Sequence, residues 1–231
     1  MPLYDHITVP EATQIQNGLR EKLQITPYKG ALKIIGGADI SFNKYEKDVY
    51  AGIVLLTYPR LLPYACSLVK SEVNFPYVPG YLAFREVPPL MKAWELLPEK
   101  PDLLVVDGHG IAHPRRMGIA AHFGTLSGQV SVGCAKNKLW GEYQEPGQEQ
   151  FSSSTLTHNG ETIGYVLRTK TRVKPIFVSP GFGIDLQGSL QAVKSCVRKY
   201  RLPEPTRQAH NFVNLFRTGQ MSEGFHQLNE E

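Results

Sequence analysis

Two acidic residues in this sequence follow closely on apolar runs. Asp39 lies near the end of the run at 32–42, and Asp107 comes directly after Leu103–Val106. Short, partly β-branched apolar runs predict buried strands. A carboxylate at the carboxyl end of such a strand points into the crevice where α/β sheets bind ligands. Asp-Gly at a strand end is also the sequence of an ordinary turn, but we favour a ligand site here.

The loop that follows Asp107 adds imidazole and guanidinium groups. Residues 107–124 read DGHGIAHPRRMGIAAHFG, so His109, His113 and two arginines stand among glycines. Guanidinium groups match the geometry of phosphate, and imidazoles can donate or accept hydrogen bonds or bind metal. The loop therefore predicts a site for metal-bound phosphate. His109 is equally well explained as a residue of the pocket or of its supporting layer.

A third acidic candidate, Glu86, begins a predicted helix over 81–97. Clustered carboxylates are hard oxygen ligands that suit Mg²⁺ or Mn²⁺. Two such ions about 3.5–4 Å apart can activate water and stabilise the leaving oxygen of a phosphodiester. Taken alone, Glu86 is equally well explained as a solvated surface carboxylate.

Composition sets broad limits on the class of protein. The chain has 231 residues, of which 42% are hydrophobic and 20% charged, with a net charge of +4 and three widely spaced cysteines. These values predict one soluble α/β domain over 1–231, and the odd cysteine count fits a reducing cytoplasm. The N-terminus lacks the pattern of a signal peptide, and the apolar runs are too short to span a bilayer. The positive net charge is compatible with a polyanionic partner but is not evidence for one.

Hydrophobic periodicity predicts the elements that position these residues. The first half begins with a predicted helix over 11–25, capped by Thr8 or Thr13. Antiparallel strands over 32–42, 49–58 and 65–75 follow. After them come a stiff loop over 74–86 and the helix over 81–97, with a break at Pro88. Next come the strand at 103–106, a helix over 118–130 and a strand over 131–135. The first and fourth strands, if adjacent, would bring Asp39 and Asp107 side by side.

The second half is less regular. The prediction there is a flexible loop over 141–160, strands over 162–169 and 174–179, a helix over 186–200, a proline-stiffened strap over 201–207, and a tail over 208–231 with a short helix and a disordered end.

Five ordered motifs place this sequence beside a known family. They are GGADISF (36–42), PYVPGYLAFRE (76–86), DGHGIAHPRRMGIAAHFG (107–124), GCAKNKL (133–139) and RLPEPTR (201–207). In these motifs, which span nearly the whole chain, the sequence closely resembles the endonuclease V family. The resemblance implies an α/β fold of the RNase H-like type, with a mixed β-sheet flanked by helices. It also implies Mg²⁺ as cofactor, with Mn²⁺ as a substitute.

The resemblance implies a repair endonuclease that acts on DNA containing deoxyinosine, and possible activity on inosine in RNA. Cleavage falls at the second phosphodiester bond 3′ to the deaminated base and leaves a 3′-hydroxyl and a 5′-phosphate. Asp39, Glu86 and Asp107 match the family's metal-binding carboxylates, Lys136 its catalytic-site lysine, and His113 the histidine of its glycine-rich loop.

The resemblance also assigns residues to substrate binding. Pro76, Tyr77, Val78 and Pro79 match a wedge that holds the strands apart at the lesion. An aromatic residue on a proline-braced loop can stack where an extruded base leaves a gap. Without the resemblance, a surface turn with a half-buried tyrosine is the favoured interpretation of this segment. The base pocket is matched by six small or apolar residues: Leu82, Gly108, Gly118, Ile119, Ala135 and Leu139.

The chain departs from the family after its late strand. The usual motif is Ser-Pro-Gly-His followed by a basic residue, whereas here Phe182 and Gly183 follow Ser179-Pro180-Gly181. Asp185, two residues on, is either a further acidic ligand or the cap of the helix predicted from Leu186.

Two alternatives to a deoxyinosine endonuclease remain at this level. An inosine-specific endoribonuclease would need a contact to the ribose 2′-hydroxyl, and no residue in the sequence identifies one. A non-catalytic protein that binds inosine-containing nucleic acid is less favoured, because Asp39, Glu86 and Asp107 are all present.

Overall fold

Nine strands form a single mixed sheet in the computed structural model, which describes residues 4, 6–42 and 47–228. The strands are β1 (Ile34–Phe42), β2 (Asp48–Thr57), β3 (Pro63–Glu72), β4 (Leu103–Val106), β5 (Ser131–Ala135), β6 (Ser153–His158), β7 (Glu161–Leu167), β8 (Ile176–Phe182) and β9 (Gly224–Gln227). Their order across the sheet is β6-β7-β8-β5-β4-β1-β2-β3-β9. The sheet is parallel where β4 pairs with β1 and β5, and its other pairs are antiparallel.

Five helices complete the described chain: α1 (Val9–Glu21), α2 (Ala83–Leu96), α3 (Ile119–Ser127), α4 (Leu186–Ser195) and α5 (Glu204–Arg217). Helices α2 and α3 pack on one face of the sheet, where Leu104 and Val106 point. Helices α4 and α5 cover the other face, to which Leu103 and Val105 contribute. Alternate residues of β4 are thus buried on opposite sides, which explains its continuous apolar sequence. The predicted α/β class, a mixed sheet flanked by helices, is confirmed.

The antiparallel meander of β1, β2 and β3 is also confirmed. Strands β1 and β4 are adjacent, which meets the condition for bringing Asp39 and Asp107 side by side. Of the two caps considered for α1, Thr8 is the one present: its hydroxyl and the Glu11 carboxylate form a reciprocal capping box. The predicted break at Pro88 is wrong, because α2 continues through Pro88 and Pro89. Burial of Val87, Leu90 and Ala93 holds this helix against the sheet despite the lost backbone bond.

The second half of the chain is more ordered than its sequence predicted. The loop over 141–160 contains β6, a largely polar edge strand whose exposed positions conceal its period. The helix predicted to reach residue 200 stops at Ser195, whose carbonyl accepts a hydrogen bond from the Arg198 guanidinium. Part of the predicted strap is the first turn of α5, since Pro205 suits an initial helical position.

The predicted disorder of the tail is wrong for its described residues. After α5, strand β9 pairs antiparallel with β3, with Phe225 opposite Ser67, and extends the sheet by one strand. The last three residues lie outside the described chain. No described helix is both long and apolar enough to cross a membrane.

Candidate active site

Parallel pairing of β1 and β4 brings the two strand-end carboxylates together. Ala38 is in register with Val106, so Asp39 and Asp107 are the next residues on adjacent strands. Asp39 is buried, and it lies near enough for its negative charge to act on the Asp107 carboxyl group. Burial and, next, the charge of Asp39 raise the pKa of Asp107 to about 6. Such a pair favours a bound proton or a cation over two bare negative charges.

The first turn of α2 adds Glu86 from the opposite side of the crevice. This carboxyl group is buried, and burial followed by the charges of Asp39 and Asp107 raises its pKa to about 8. The three acids therefore share one region of negative potential. Within the described ranges, however, no three His, Cys, Asp or Glu side chains converge closely enough to enclose one metal ion.

Lys136 supplies a positive charge beside the acidic pair. It follows the last residue of β5, and its ammonium group donates a hydrogen bond to Oδ2 of Asp107. Burial alone would lower the pKa of Lys136. The charge of Asp107, its hydrogen bond and the charge of Asp39 together outweigh burial, and the net pKa is raised. Lys136 therefore remains a cation next to the carboxylates at neutral pH.

His210 is a member of the site that the sequence did not reveal. It lies on α5, and its Nδ1–H donates a hydrogen bond of 2.9 Å to Oδ2 of Asp39, which raises the pKa of the imidazole. Its Nε2 lies 3.0 Å from Nδ2 of Asn214, one turn further along the helix. The one sequence feature that could have indicated His210 is its position three residues after the RLPEPTR motif.

A cavity of about 450 Å³ opens beside the acidic pair. All six residues proposed for the base pocket line this cavity: Leu82, Gly108, Gly118, Ile119, Ala135 and Leu139. Three residues of the wedge also line it: Tyr77, Val78 and Pro79. The other predicted site residues in its walls are Glu86, Asp107, His109, His113 and Lys136. Pro76 and Asp39 lie outside this lining. Gly118 must be glycine, because a Cβ there would lie 2.4 Å from the carbonyl oxygen of His109.

The wedge segment projects from the rim of this cavity, with Tyr77 66% exposed. Gly80 follows the wedge directly, and its φ of +80° favours glycine. The Gly80 carbonyl accepts hydrogen bonds from three side chains: Gln16 at 3.2 Å, His113 at 2.9 Å and Arg115 at 2.6 Å. We call Gln16, His113 and Arg115 the Gly80 clamp.

The histidines of the glycine-rich loop are engaged in holding backbone. His113 Nε2–H donates to Gly80, while Nδ1 accepts from the Arg115 amide at 3.1 Å. His109 Nε2–H donates to the carbonyl of Asn137 at 2.9 Å. Burial lowers the pKa of each imidazole to about 4, with Arg115 contributing to the shift of His113. Both rings are therefore neutral at pH 7, and their contacts suit positioning of the loop rather than proton transfer.

Asp185 is not part of this cluster. Its carboxylate accepts a hydrogen bond of 2.7 Å from the Gly188 amide and caps α4, so the cap interpretation holds and the ligand interpretation is wrong. The reason is strand direction: Phe182 pairs with Ser131 at the start of β5, whereas Lys136 follows the end of that strand. Phe182 and Asp185 therefore lie at the opposite end of the strands from Asp107.

Comparison with known proteins gives a consistent result. A profile of the Endonuclease V family matches residues 17–211. An Endonuclease V of Myxococcus xanthus is 45% identical over 213 residues, which cover 91% of this chain and 90% of that protein. An Endonuclease V structure from Streptomyces avermitilis superimposes with a TM-score of 0.85 at 37% identity, covering 90% of this chain and 92% of that one.

A further solved structure contains nucleic acid. Endonuclease V of Ciona intestinalis, in complex with a 23mer DNA containing an inosine followed by a ribo-adenosine, matches with a TM-score of 0.79 at 27% identity. The match covers 90% of this chain and 97% of that one.

Proposed function

Because this chain belongs to the Endonuclease V family, we propose that it is a single-domain, metal-dependent endonuclease acting on deaminated purines in DNA. It hydrolyses the second phosphodiester bond 3′ to deoxyinosine and leaves a 3′-hydroxyl and a 5′-phosphate. The observation that carries the proposal is the acidic pair, Asp39 and Asp107, at the edge of a purine-sized cavity. The three cysteines are unpaired and buried, which supports a cytoplasmic location.

The residues present fit a hard divalent cation, for which we propose Mg²⁺, with Mn²⁺ as a substitute. Asp39, Asp107 and Glu86 offer carboxylate oxygens. Burial and then the charges of the neighbouring carboxylates raise the pKa values of Asp107 and Glu86, and a bound cation would offset that negative charge. Mg²⁺ usually keeps several waters and takes only one or two carboxylates from the protein. Bound there, the ion would activate water and stabilise the leaving oxygen.

Of the other residues of the site, one binds the substrate and the rest hold parts of the site in position. The Lys136 ammonium lies where it can bind an oxygen of the scissile phosphate and offset its negative charge. His210 fixes the orientation of the Asp39 carboxylate through its Nδ1–H. The hydrogen bonds of His109 and His113 hold the glycine-rich loop over the cavity.

The cavity suits an extruded purine. Its volume of about 450 Å³ falls within the ordinary range of small-ligand sites, roughly 300–1,000 Å³. Ile119 and Leu82 offer apolar contact to the faces of a flat base, and glycines allow the backbone to approach its edge. An extruded base bound here would place the following phosphates toward Asp107 and Lys136.

The test is incision of matched oligonucleotides. Duplex and single-stranded DNA with one deoxyinosine, the RNA strand with inosine, and the undamaged strands are incubated with Mg²⁺, Mn²⁺ or EDTA, and the products are sized. We expect cleavage only in deaminated strands and only with metal, at the bond between the first and second nucleotides 3′ to the lesion. Equal cleavage of undamaged strands, or full activity in EDTA, would refute the proposal. Cleavage confined to the RNA strand would make the protein an endoribonuclease.

We expect Tyr77→Ala to weaken binding of a deoxyinosine duplex by about tenfold and binding of the single strand much less. The exposed ring replaces stacking that the duplex loses when a base is extruded, a cost of a few kcal/mol, whereas a single strand has less stacking to lose. Dissociation constants measured with Ca²⁺ in place of Mg²⁺ test this. Tyr77→Phe should behave like the native protein, and equal losses on both substrates would contradict a wedge.

A further inference from the structure

The segment before α5 borders the acidic pair on the side away from the base cavity. The Arg201 guanidinium donates hydrogen bonds to the carbonyls of Lys136, at 2.9 Å, and Pro175, at 2.8 Å. These bonds attach the segment to the end of β5, where the Lys136 ammonium contacts Asp107. The residue before Arg201 is therefore held near the edge of the sheet that carries the site.

That residue, Tyr200, is 49% exposed yet ordered by its neighbours. The Arg207 guanidinium lies over its ring, 4.7 Å from the centroid, and the Lys199 ammonium lies 5.8 Å from it. Arg207 is in turn held by the buried Glu204 carboxylate, with an Nη2–Oε2 distance of 2.5 Å. A large aromatic surface is thus fixed at the protein surface among cations, which is the arrangement that stacks nucleic-acid bases.

The helix places this surface relative to the proposed chemistry. Arg207 and His210 are three residues apart on α5, so their side chains are neighbours on the same side of the helix. His210 contacts Asp39. The first two turns of α5 therefore connect the Tyr200 ring to the acidic pair, through Arg207 at one end and His210 at the other. The base cavity, walled by Leu82 and Ile119, lies on the α2 and α3 side.

We propose that Tyr200 and Arg207 form a stacking subsite for a nucleotide on the 3′ side of the scissile bond, an assignment that rests on the proposed function. A strand with its deaminated base in the cavity and its scissile phosphate at Asp39 and Asp107 must leave the site on the α5 side. There a base stacks on the outer face of Tyr200, and Lys199 and Arg207 attract the adjacent phosphates. Because every base has an aromatic face, this subsite adds affinity without sequence preference.

The experiment measures how affinity depends on strand length on each side of the lesion. Single strands containing one deoxyinosine carry either one or six nucleotides beyond the scissile bond, and dissociation constants are measured with Ca²⁺. We expect the native protein to bind the longer strand more tightly. In Tyr200→Ala, the ratio of the two constants should fall by about tenfold, as expected for loss of one stacked base. Tyr200→Phe should retain the native ratio.

Two controls separate this subsite from general effects. Phe225→Ala removes another exposed ring, on β9, and should keep the native ratio. Strands lengthened on the 5′ side should show the same length dependence in the native protein and in Tyr200→Ala. An unchanged 3′ ratio in Tyr200→Ala, or a loss that follows 5′ length instead, would overturn the subsite. Failure of the proposed function would look different, because the native protein would then bind deoxyinosine and undamaged strands alike.

Discussion

Asp107→Asn is expected to slow incision at deoxyinosine by roughly a thousandfold or more in saturating Mg²⁺. The substitution keeps the shape of the side chain but removes a negative oxygen from the acidic pair and the charged partner of Lys136. Single-turnover rates give the effect on chemistry, and dissociation constants in Ca²⁺ should show that substrate still binds. A melting curve should show that the variant remains folded.

Asp185→Asn is the matched control, since this aspartate caps α4 at the end of the strands opposite the acidic pair. It should change the free energy of unfolding by about 1 kcal/mol or less and the incision rate by no more than about twofold. A native rate for Asp107→Asn, or a comparable loss for Asp185→Asn, would contradict the assignment of the acidic pair.

Glu86→Gln should make the metal-free protein more stable at high pH while abolishing incision. The pKa of Glu86 in the folded protein is raised from 4.5 to about 8, so folding favours the protonated carboxyl. Near pH 4.5 and below, both states bind the proton and the variant gains little. Between pH 4.5 and 8 the folded protein must increasingly retain a proton that the unfolded chain releases, and above pH 8 the penalty of the buried charge is complete.

The full shift corresponds to roughly 4–5 kcal/mol, an upper limit because the site can relax. A rise in melting temperature of roughly 5 °C at pH 9 is therefore expected in EDTA, with little rise at pH 4.5. Glu95→Gln replaces an exposed carboxylate on the same helix and should show no such pH dependence. Mg²⁺ should stabilise the native protein more than Glu86→Gln. A variant that is less stable than the native protein at pH 9 would refute this account.

The central strands and the acidic pair could be predicted because their signals are local. A strand such as β4, buried on both faces, must be continuously apolar, and a carboxylate at its end is conspicuous. The sequence left the adjacency of β1 and β4 as a condition, which their parallel pairing meets. Strands such as β6 and β9 lie at the sheet edges with exposed positions, so their burial depends on neighbours that the local sequence does not specify.

The remaining site residues depend on contacts over long separations. His210 is on a helix 171 residues from Asp39, and no local pattern distinguishes it from a surface histidine. Asp185 was open to two interpretations, a metal ligand or a helix cap, and the direction of β8 decides between them. That strand runs antiparallel to β5, and a short apolar strand carries no sequence signal for its direction.

The Gly80 clamp makes the wedge and the base cavity one mechanical unit. Its three donors come from α1 and from the glycine-rich loop that walls the cavity, and all converge on one carbonyl at the end of the wedge. Gln16 also accepts a hydrogen bond from Arg115, so the donors restrain one another. Under the proposed function, we therefore expect insertion of Tyr77 into a duplex and capture of the extruded base to be cooperative rather than independent. Energetic losses from substitutions on the two sides should then be non-additive, as they are for residues that share one network.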